Sequence, residues 1–113
     1  MISVTYTETH TETHTDTAER RELRCDGHAG YSPGQDIVCA AVSALTGTLA
    51  AALLERGGTG VTVAEGAGMA RISCAGAEAE PLFRFVLTGL RKLAQAYPRC
   101  VRVEIGGANE QDR

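Results

Sequence analysis

Hydrophobic residues change their spacing along this chain, and the changes mark where strands and helices should lie. Residues 2–9 and 19–26 alternate apolar and polar positions, which predicts two strands. The polar repeat THTETHTDT between them is typical of the exposed tip of a hairpin. Residues 61–65 and 69–75 predict a second hairpin around a Gly-Ala-Gly turn, and the alternation at 101–105 predicts a last strand.

Two longer segments show the periodicity of amphipathic helices. The first is predicted to start at Asp36 and to end at Arg56, ahead of two glycines. Pro81 suits the first turn of the second helix, which Pro98 ends. The apolar stripes are Val38, Val42, Leu45, Leu49 and Leu53 in the first helix, and Phe83, Val86, Leu87, Leu90, Leu93, Ala94 and Tyr97 in the second.

The resulting order of elements, ββαββαβ, defines the expected fold class. Two helices with one apolar face each can cover one five-stranded sheet, which gives an α+β two-layer sandwich. Because hairpins make most of the connections, the sheet should be mostly antiparallel. A chain of 113 residues has room for one core. We expect a single domain over residues 1–106 and a flexible C-terminal tail over 107–113.

The charge balance argues against a nucleic-acid-binding protein. The chain carries 11 Lys and Arg against 14 Asp and Glu, a net charge of −3, and its cations are scattered. The N-terminus lacks the basic stretch and apolar run of a signal peptide. The longest apolar stretch, residues 37–54, is interrupted by Ser, Thr and Gly and falls short of a membrane span. We expect a cytoplasmic protein that binds neither nucleic acid directly nor a membrane.

The four cysteines form no CxxC motif, so zinc-finger spacing is missing. Structural disulfides are uncommon in the cytosol, and at least three of these cysteines should be small buried side chains. His10 and His14 would share one face of a strand as a weak metal pair, but a polar hairpin tip is the simpler interpretation. We expect no metal and no cofactor. The cysteines are Cys25, Cys39, Cys74 and Cys100.

The segment with the clearest chemical potential is GHAGYSPGQDIVCAAVSAL, residues 27–45. It places His28 in a glycine-rich turn and Cys39 in the first turn of the long helix, so a loop lets the two groups approach each other. A free thiol has a pKa of about 8.5 and is mostly protonated at neutral pH. A helix N-terminus favours the thiolate, and a neighbouring imidazole can accept its proton. The pair therefore suits a cysteine peptidase.

Each of these residues also has a purely structural interpretation. Asp36 either caps the helix by accepting the backbone N–H of Cys39 or orients and charges His28. Ser43, one turn after Cys39, either permits close helix packing or makes a hydrogen bond in the site. Cys39 itself is flanked by apolar residues and could be a buried core side chain.

The GHA turn, the glycine-containing loop and the sequence DIVCAAVS resemble the ribosomal-processing cysteine protease family, Prp. The resemblance includes the acidic residue three positions before the cysteine and covers nearly the whole chain, through the helix end at Tyr97-Pro98 and the V-x-V-E strand. Only the THTETHT tip and the last eight residues lie outside it. The family's fold and site are therefore the expectation for this chain.

The resemblance implies a role for individual residues. The nucleophile falls on Cys39, the catalytic histidine on His28, the acidic residue on Asp36 and the serine on Ser43. Residues 29–35 correspond to a flexible loop beside the active site. Substrate contacts are expected at Gly27, Ala29, Gly30, Tyr31, Ser32, Gly34 and Ser43.

The implied activity is that of an endopeptidase that removes a short N-terminal extension from large-subunit ribosomal protein twenty-seven and so supports ribosome assembly. The implied partners are that protein's tail and a second copy of this chain in a homodimer. The alternative is a non-catalytic, ribosome-associated binding or assembly module with a structural cysteine. A metal site formed by His10, His14 and His28 is a more distant alternative.

Overall fold

The computed structural model describes residues 1–12, 17–28, 37–56 and 58–109, without the side chains of 11–12, 17–18 and 107–109. The predicted ββαββαβ order is confirmed, with one short 3₁₀ helix, Ala77–Ala79, added before the second α-helix. The elements are β1 (Ile2–Glu12), β2 (Thr17–Asp26), α1 (Ile37–Arg56), β3 (Thr59–Gly66), β4 (Met69–Ala75), α2 (Glu80–Ala96) and β5 (Val101–Asn109).

The five strands form one mixed sheet in the order β3-β4-β2-β1-β5. The β1–β2 and β3–β4 pairs are antiparallel, as the two hairpins require, and the β2–β4 pair that joins the hairpins is antiparallel as well. Helix α2 then carries the chain across the sheet to the other side of β1, where β5 pairs in parallel. The predicted α+β sandwich with a mostly antiparallel sheet is confirmed.

Both helices pack on one face of this sheet, and the core lies between the two layers. Tyr6 and Leu23 from the strands and Leu49 and Phe83 from the helices are at most 1% exposed. Each such side chain stabilises the fold by about 1.5–3 kcal/mol through burial of apolar surface. The rings of Tyr6 and Phe83 are tilted against each other with centroids 5.5 Å apart, which fixes α2 over β1.

The C-terminal boundary differs from the sequence prediction. β5 extends to Asn109, because β1 is long enough to offer pairing partners, and residues 107–109 pair with residues 8–10. The predicted domain end at 106 therefore falls inside a strand, and the first three residues of the predicted tail belong to the sheet. Residues 110–113 lie outside the described part of the chain.

Helix α1 has an apolar character on both of its faces. By length and composition alone it could cross a membrane, which corrects the expectation that this stretch falls short of a span. A helix that is buried in a protein core can have the same length and apolar composition. The inner face of α1 packs into the core through Val38, Val42 and Leu53. Only 33% of its apolar stretch is buried. Its outer face therefore remains open and has no charged residue from 37 to 54, with Ile37 and Leu54 59% and 67% exposed.

Candidate active site

A cleft of about 270 Å³ opens at the end of the sheet where β1 begins and β2 ends. The start of α1 and the turn between β3 and β4 form its other walls. Pairing along the sheet brings these segments together, because Asp26 at the end of β2 lies opposite Ser3 of β1 on one side and Met69 of β4 on the other. The cleft thus gathers residues that are far apart in sequence.

Cys39 lines this cleft from the third residue of α1. It is half-buried, with part of its side chain against the hydrophobic core and part facing the cleft, and it forms no disulfide. Its neighbours on the inner side of the helix, Val38 and Val42, are 1% and 5% exposed and fix the rotation of the helix. The thiol is therefore open to a ligand while standing at a helix N-terminus, whose dipole favours the thiolate.

His28 lines the same cleft, two residues after β2 ends. Its side chain is exposed. Gly27, with φ of +103°, turns the chain out of the strand in a conformation that favours glycine. The Gly27 backbone N–H donates to the Gly68 carbonyl oxygen at 2.8 Å, which ties this turn to the β3–β4 hairpin. The backbone at His28 is thus held from two sides, because it follows β2 and is tied to the β3–β4 hairpin by the Gly27–Gly68 hydrogen bond.

A second thiol, Cys25, also lines the cleft. It is 5% exposed, and burial, with a smaller contribution from the nearby Asp26 carboxylate, raises the pKa of the Cys25 thiol to about 12. At neutral pH that thiol is protonated and a poor nucleophile. Cys25 therefore belongs to the apolar floor of the cleft, together with Ile2, Val42 and Ala70.

Four of the residues singled out in the sequence meet in this cleft: Gly27, His28, Cys39 and Ser43. Ser43 is exposed one turn below Cys39, so it is available to a ligand rather than packed inside the helix layer. Asp36 and the loop residues Ala29, Gly30, Tyr31, Ser32 and Gly34 lie outside the described residues, and their roles stay predictions.

The β3–β4 turn is the part of the site that sequence reasoning missed. Residues 66–70 line the cleft. The Gly-Ala-Gly sequence indicates a turn but carries no sign of which element the turn faces. That placement depends on β4 pairing with β2, which is a long-range feature of the sheet.

The two histidines that the structure describes, His10 and His28, do not come together. His10 lies opposite Glu19 near the tip of the first hairpin, whereas His28 follows the other end of β2. His14 is outside the described residues. Among the residues that the structure describes, no three His, Cys, Asp or Glu side chains cluster to hold a metal ion.

Comparison with known proteins places the fold. A structure of the essential ribosomal processing protease Prp from S. aureus, in complex with a covalently linked product peptide, superposes with a TM-score of 0.72 at 22% identity, covering 93% of this chain and 99% of that one. A structure of the same S. aureus protease with a substrate peptide gives a TM-score of 0.68 at 21% identity, with coverage of 93% and 99%. SMU.848 from Streptococcus mutans gives 0.66 at 26% identity, covering 96% of both chains. No curated protein sequence matches the chain.

A half-buried thiol at a helix N-terminus that shares one cleft with a histidine is an arrangement suited to the cysteine proteases as a class. The family model described as "Cysteine protease Prp" matches residues 1–102. The chain therefore belongs to the cysteine protease Prp family, and the resemblance found in the sequence is confirmed.

Proposed function

We propose that this protein is a cysteine endopeptidase that removes the N-terminal extension of large-subunit ribosomal protein twenty-seven, with Cys39 as nucleophile and His28 as general base and acid. The single observation that carries the proposal is that these two side chains line the same cleft. Membership of a cysteine protease family supports the class of reaction. The S. aureus relatives with a substrate peptide and a covalently linked product peptide support a peptide ligand for this fold.

The reaction follows from the chemistry of the two groups. The His28 imidazole accepts the Cys39 thiol proton, and the thiolate attacks the carbonyl carbon of the scissile peptide bond. As that carbon–nitrogen bond breaks, the imidazolium donates its proton to the leaving amine, and a thioester remains on Cys39. The imidazole then accepts a proton from water, whose oxygen attacks the thioester carbon; as the carbon–sulfur bond breaks, the imidazolium returns the proton to the Cys39 sulfur and the carboxylic acid product leaves. Backbone N–H groups at the start of α1 are suited to stabilise the oxyanion.

The cleft also suits an extended tail better than a folded surface. It is open at the end of the sheet, and its floor is apolar, formed by Ile2, Cys25, Val42 and Ala70. Gly27, Ser43 and the loop residues Ala29, Gly30, Tyr31, Ser32 and Gly34 are proposed to contact the tail. Asp36 is proposed either to orient His28 or to cap α1. Because its net charge is −3, the protein should recognise the tail of the ribosomal protein rather than ribosomal RNA. The proposed location of this reaction is the cytoplasm.

The same proposal includes a homodimer formed through the outer face of α1. The sequence has no charged residue from 37 to 54. On the outer face, Ile37 and Leu54 are exposed at either end, and Ala44 is an exposed small residue between them. Small side chains let two helices approach closely, and burial of this face would remove apolar surface from water.

The activity is tested with a synthetic peptide that copies the N-terminal extension of the ribosomal protein from the same genome. The wild type should cleave it once, at the mature N-terminus. Cys39→Ala should reduce cleavage by about a thousandfold or more, because the nucleophile is gone. Cys100→Ala is the matched control, because Cys100 is a buried thiol outside the cleft and its loss should leave cleavage intact.

Two outcomes would contradict the proposal. Retained cleavage by Cys39→Ala would exclude Cys39 as nucleophile. Binding of the peptide without any cleavage by the wild type would instead favour the non-catalytic assembly module with a structural cysteine.

The dimer is tested separately by light scattering after size-exclusion chromatography. The wild type should have the mass of two chains, and Ala44→Glu should have the mass of one, because a buried carboxylate is costly to desolvate. Gln95→Glu, an equal addition of charge at an exposed site on α2, should remain dimeric. A monomeric wild type would contradict this part of the proposal.

A further inference from the structure

The His28 imidazole lies directly against the backbone of Gly68 in the β3–β4 turn. A Cβ atom built at Gly68 would lie 2.8 Å from His28 Nε2, 3.2 Å from Cε1 and 3.4 Å from Cδ2. A Cβ at residue 68 would therefore clash with Nε2 and press against Cε1, so the ring lies closer to this glycine than a residue with a side chain would permit without movement. The ring rests on the turn, and the space it occupies exists because residue 68 has no side chain.

The backbone of the turn holds the same contact in place. Gly68 has φ of +69°, and its carbonyl oxygen accepts the Gly27 N–H at 2.8 Å. Gly27, which precedes His28, is thus hydrogen-bonded to Gly68, the residue that the imidazole contacts. The two bonds of the His28 side chain that can rotate are then limited on one side by the turn, which narrows the positions available to the ring.

We propose that Gly68 is a positioning residue for His28, which holds the imidazole at the orientation needed to exchange a proton with Cys39. The inference rests on the proposed function and deepens it. Gly68 itself takes part in no reaction step and acts only through the orientation of His28. The β3–β4 hairpin, which contributes no reacting group, thereby becomes part of the catalytic geometry.

The expected size of the effect follows from the contact. A methyl group on residue 68 needs about 0.6 Å more separation from Nε2 to reach ordinary van der Waals contact. The imidazole is the end of a rotatable side chain, so it should turn away while the fold persists. A misplacement of about 1 Å in a catalytic group can cost about a hundredfold in rate. Gly68→Ala should therefore lower kcat by about ten- to a hundredfold, with a smaller change in KM.

A matched control separates displacement of the ring from backbone strain. Gly60 also has a positive φ, +60°, and lies at the other end of β3, where the one atom of the described residues that a Cβ would meet within 4 Å is Arg20 Nη1, at 3.8 Å. Gly60→Ala therefore imposes a similar left-handed strain without touching His28. Gly68→Asn is a second variant, since asparagine tolerates positive φ and still brings a Cβ against the ring. It replaces Gly68→Ala if the alanine variant does not fold.

The experiment combines cleavage of the tail peptide with NMR of the His28 imidazole across a pH titration. In Gly68→Ala, kcat should fall, the pH profile of kcat should shift, and the His28 ring resonances should move. In Gly60→Ala, all three should match the wild type even if the melting temperature falls. Unchanged His28 resonances in Gly68→Ala and Gly68→Asn, or equal losses of kcat in the Gly68 and Gly60 variants, would overturn the inference.

The inference and the proposed function fail in different ways. If the wild type does not cleave the peptide, the proposed function fails, whereas the NMR comparison still decides whether Gly68 positions the ring. If the wild type cleaves and Gly68→Ala cleaves equally fast with the same pH profile, only the positioning role fails.

Discussion

Arg21 is a charged side chain on the buried face of the sheet, beneath the start of α2. It is 6% exposed, and its Nη1 donates to the Gly76 carbonyl oxygen at 2.8 Å. Its guanidinium also lies 3.5–3.8 Å from the carboxylates of Glu8, Glu19 and Glu80. It therefore joins β1, β2 and the segment that leads into α2, so its replacement tests how this end of the core is held.

The substitution Arg21→Met keeps much of the aliphatic side chain and removes the charge. The hydrogen bond from a charged donor is worth about 1.5–3 kcal/mol. The three carboxylates are 36–43% exposed, so solvent screens each ion pair to about 0–1 kcal/mol. Burying methionine costs less than burying a guanidinium, which offsets part of the loss. We expect the free energy of unfolding to fall by about 2–4 kcal/mol.

Urea unfolding at neutral pH, followed by circular dichroism, measures this change. Arg24→Met is the matched control, because Arg24 lies three residues further along β2, is 42% exposed and makes ion pairs of 4.0 Å with Glu22 and Asp26. It should lose less than about 1 kcal/mol. Equal losses in the two variants, or a loss below about 0.5 kcal/mol in Arg21→Met, would refute the reasoning.

Two further predictions concern thiols and acid stability. Alkylation of the native protein at pH 8 should modify Cys39 alone. The other three cysteines are at most 8% exposed, and burial raises the pKa of the Cys25 thiol to about 12. A second modified site in mass spectrometry would contradict this prediction. The Tyr6 hydroxyl donates to Glu8 Oε1 at 2.8 Å and holds the pKa of the Glu8 carboxyl below its ordinary value. The resulting stability is present above the unfolded-state pKa of about 4.3 and lost as the pH falls through the lower folded pKa. Thermal unfolding between pH 6 and 3 should therefore show a smaller acid loss for Tyr6→Phe than for the wild type, and equal losses would count against this linkage.

The fold was largely predictable because one face of the sheet and one face of each helix are buried. Leu23 and Cys25 share the inner face of β2, and Val38, Val42, Leu49 and Leu53 line the inner face of α1, as their periods indicate. The spacing of hydrophobic residues, however, cannot show where a strand ends. β5 reaches Asn109 through Gly106 and Gly107, which carry no strand signal, because β1 supplies a long pairing edge.

Polar residues in the core were the other feature that periodicity could not supply. Thr46 is 4% exposed and donates to the Ser43 carbonyl oxygen at 3.2 Å, so its hydroxyl is satisfied within the helix. Arg21 is buried because carboxylates from three segments and a backbone carbonyl surround it. Such compensation depends on tertiary contacts and leaves no local pattern in the sequence.

The candidate site was predictable only in part. His28 and Cys39 could be predicted as candidates because each is recognised from a short stretch of sequence: a histidine in a glycine-rich turn, and a cysteine in the first turn of a helix. Cys25 and the β3–β4 turn enter the same cleft through strand pairing, in which Cys25 lies opposite Val4 and Ala70. The contact between Gly68 and the His28 ring is of the same kind, since it joins residues forty positions apart.

The most direct test of cooperation between Cys39 and His28 is the rate of Cys39 alkylation by iodoacetamide as a function of pH, in the wild type and in His28→Ala. A thiolate paired with an imidazolium should keep the wild type reactive at pH 5–6, whereas His28→Ala should become reactive only at higher pH, closer to the behaviour of an ordinary thiol with a pKa of about 8.5. We expect the two curves to separate below neutral pH. Superimposable curves would show that the imidazole does not activate the sulfur and would contradict a catalytic pair of Cys39 and His28.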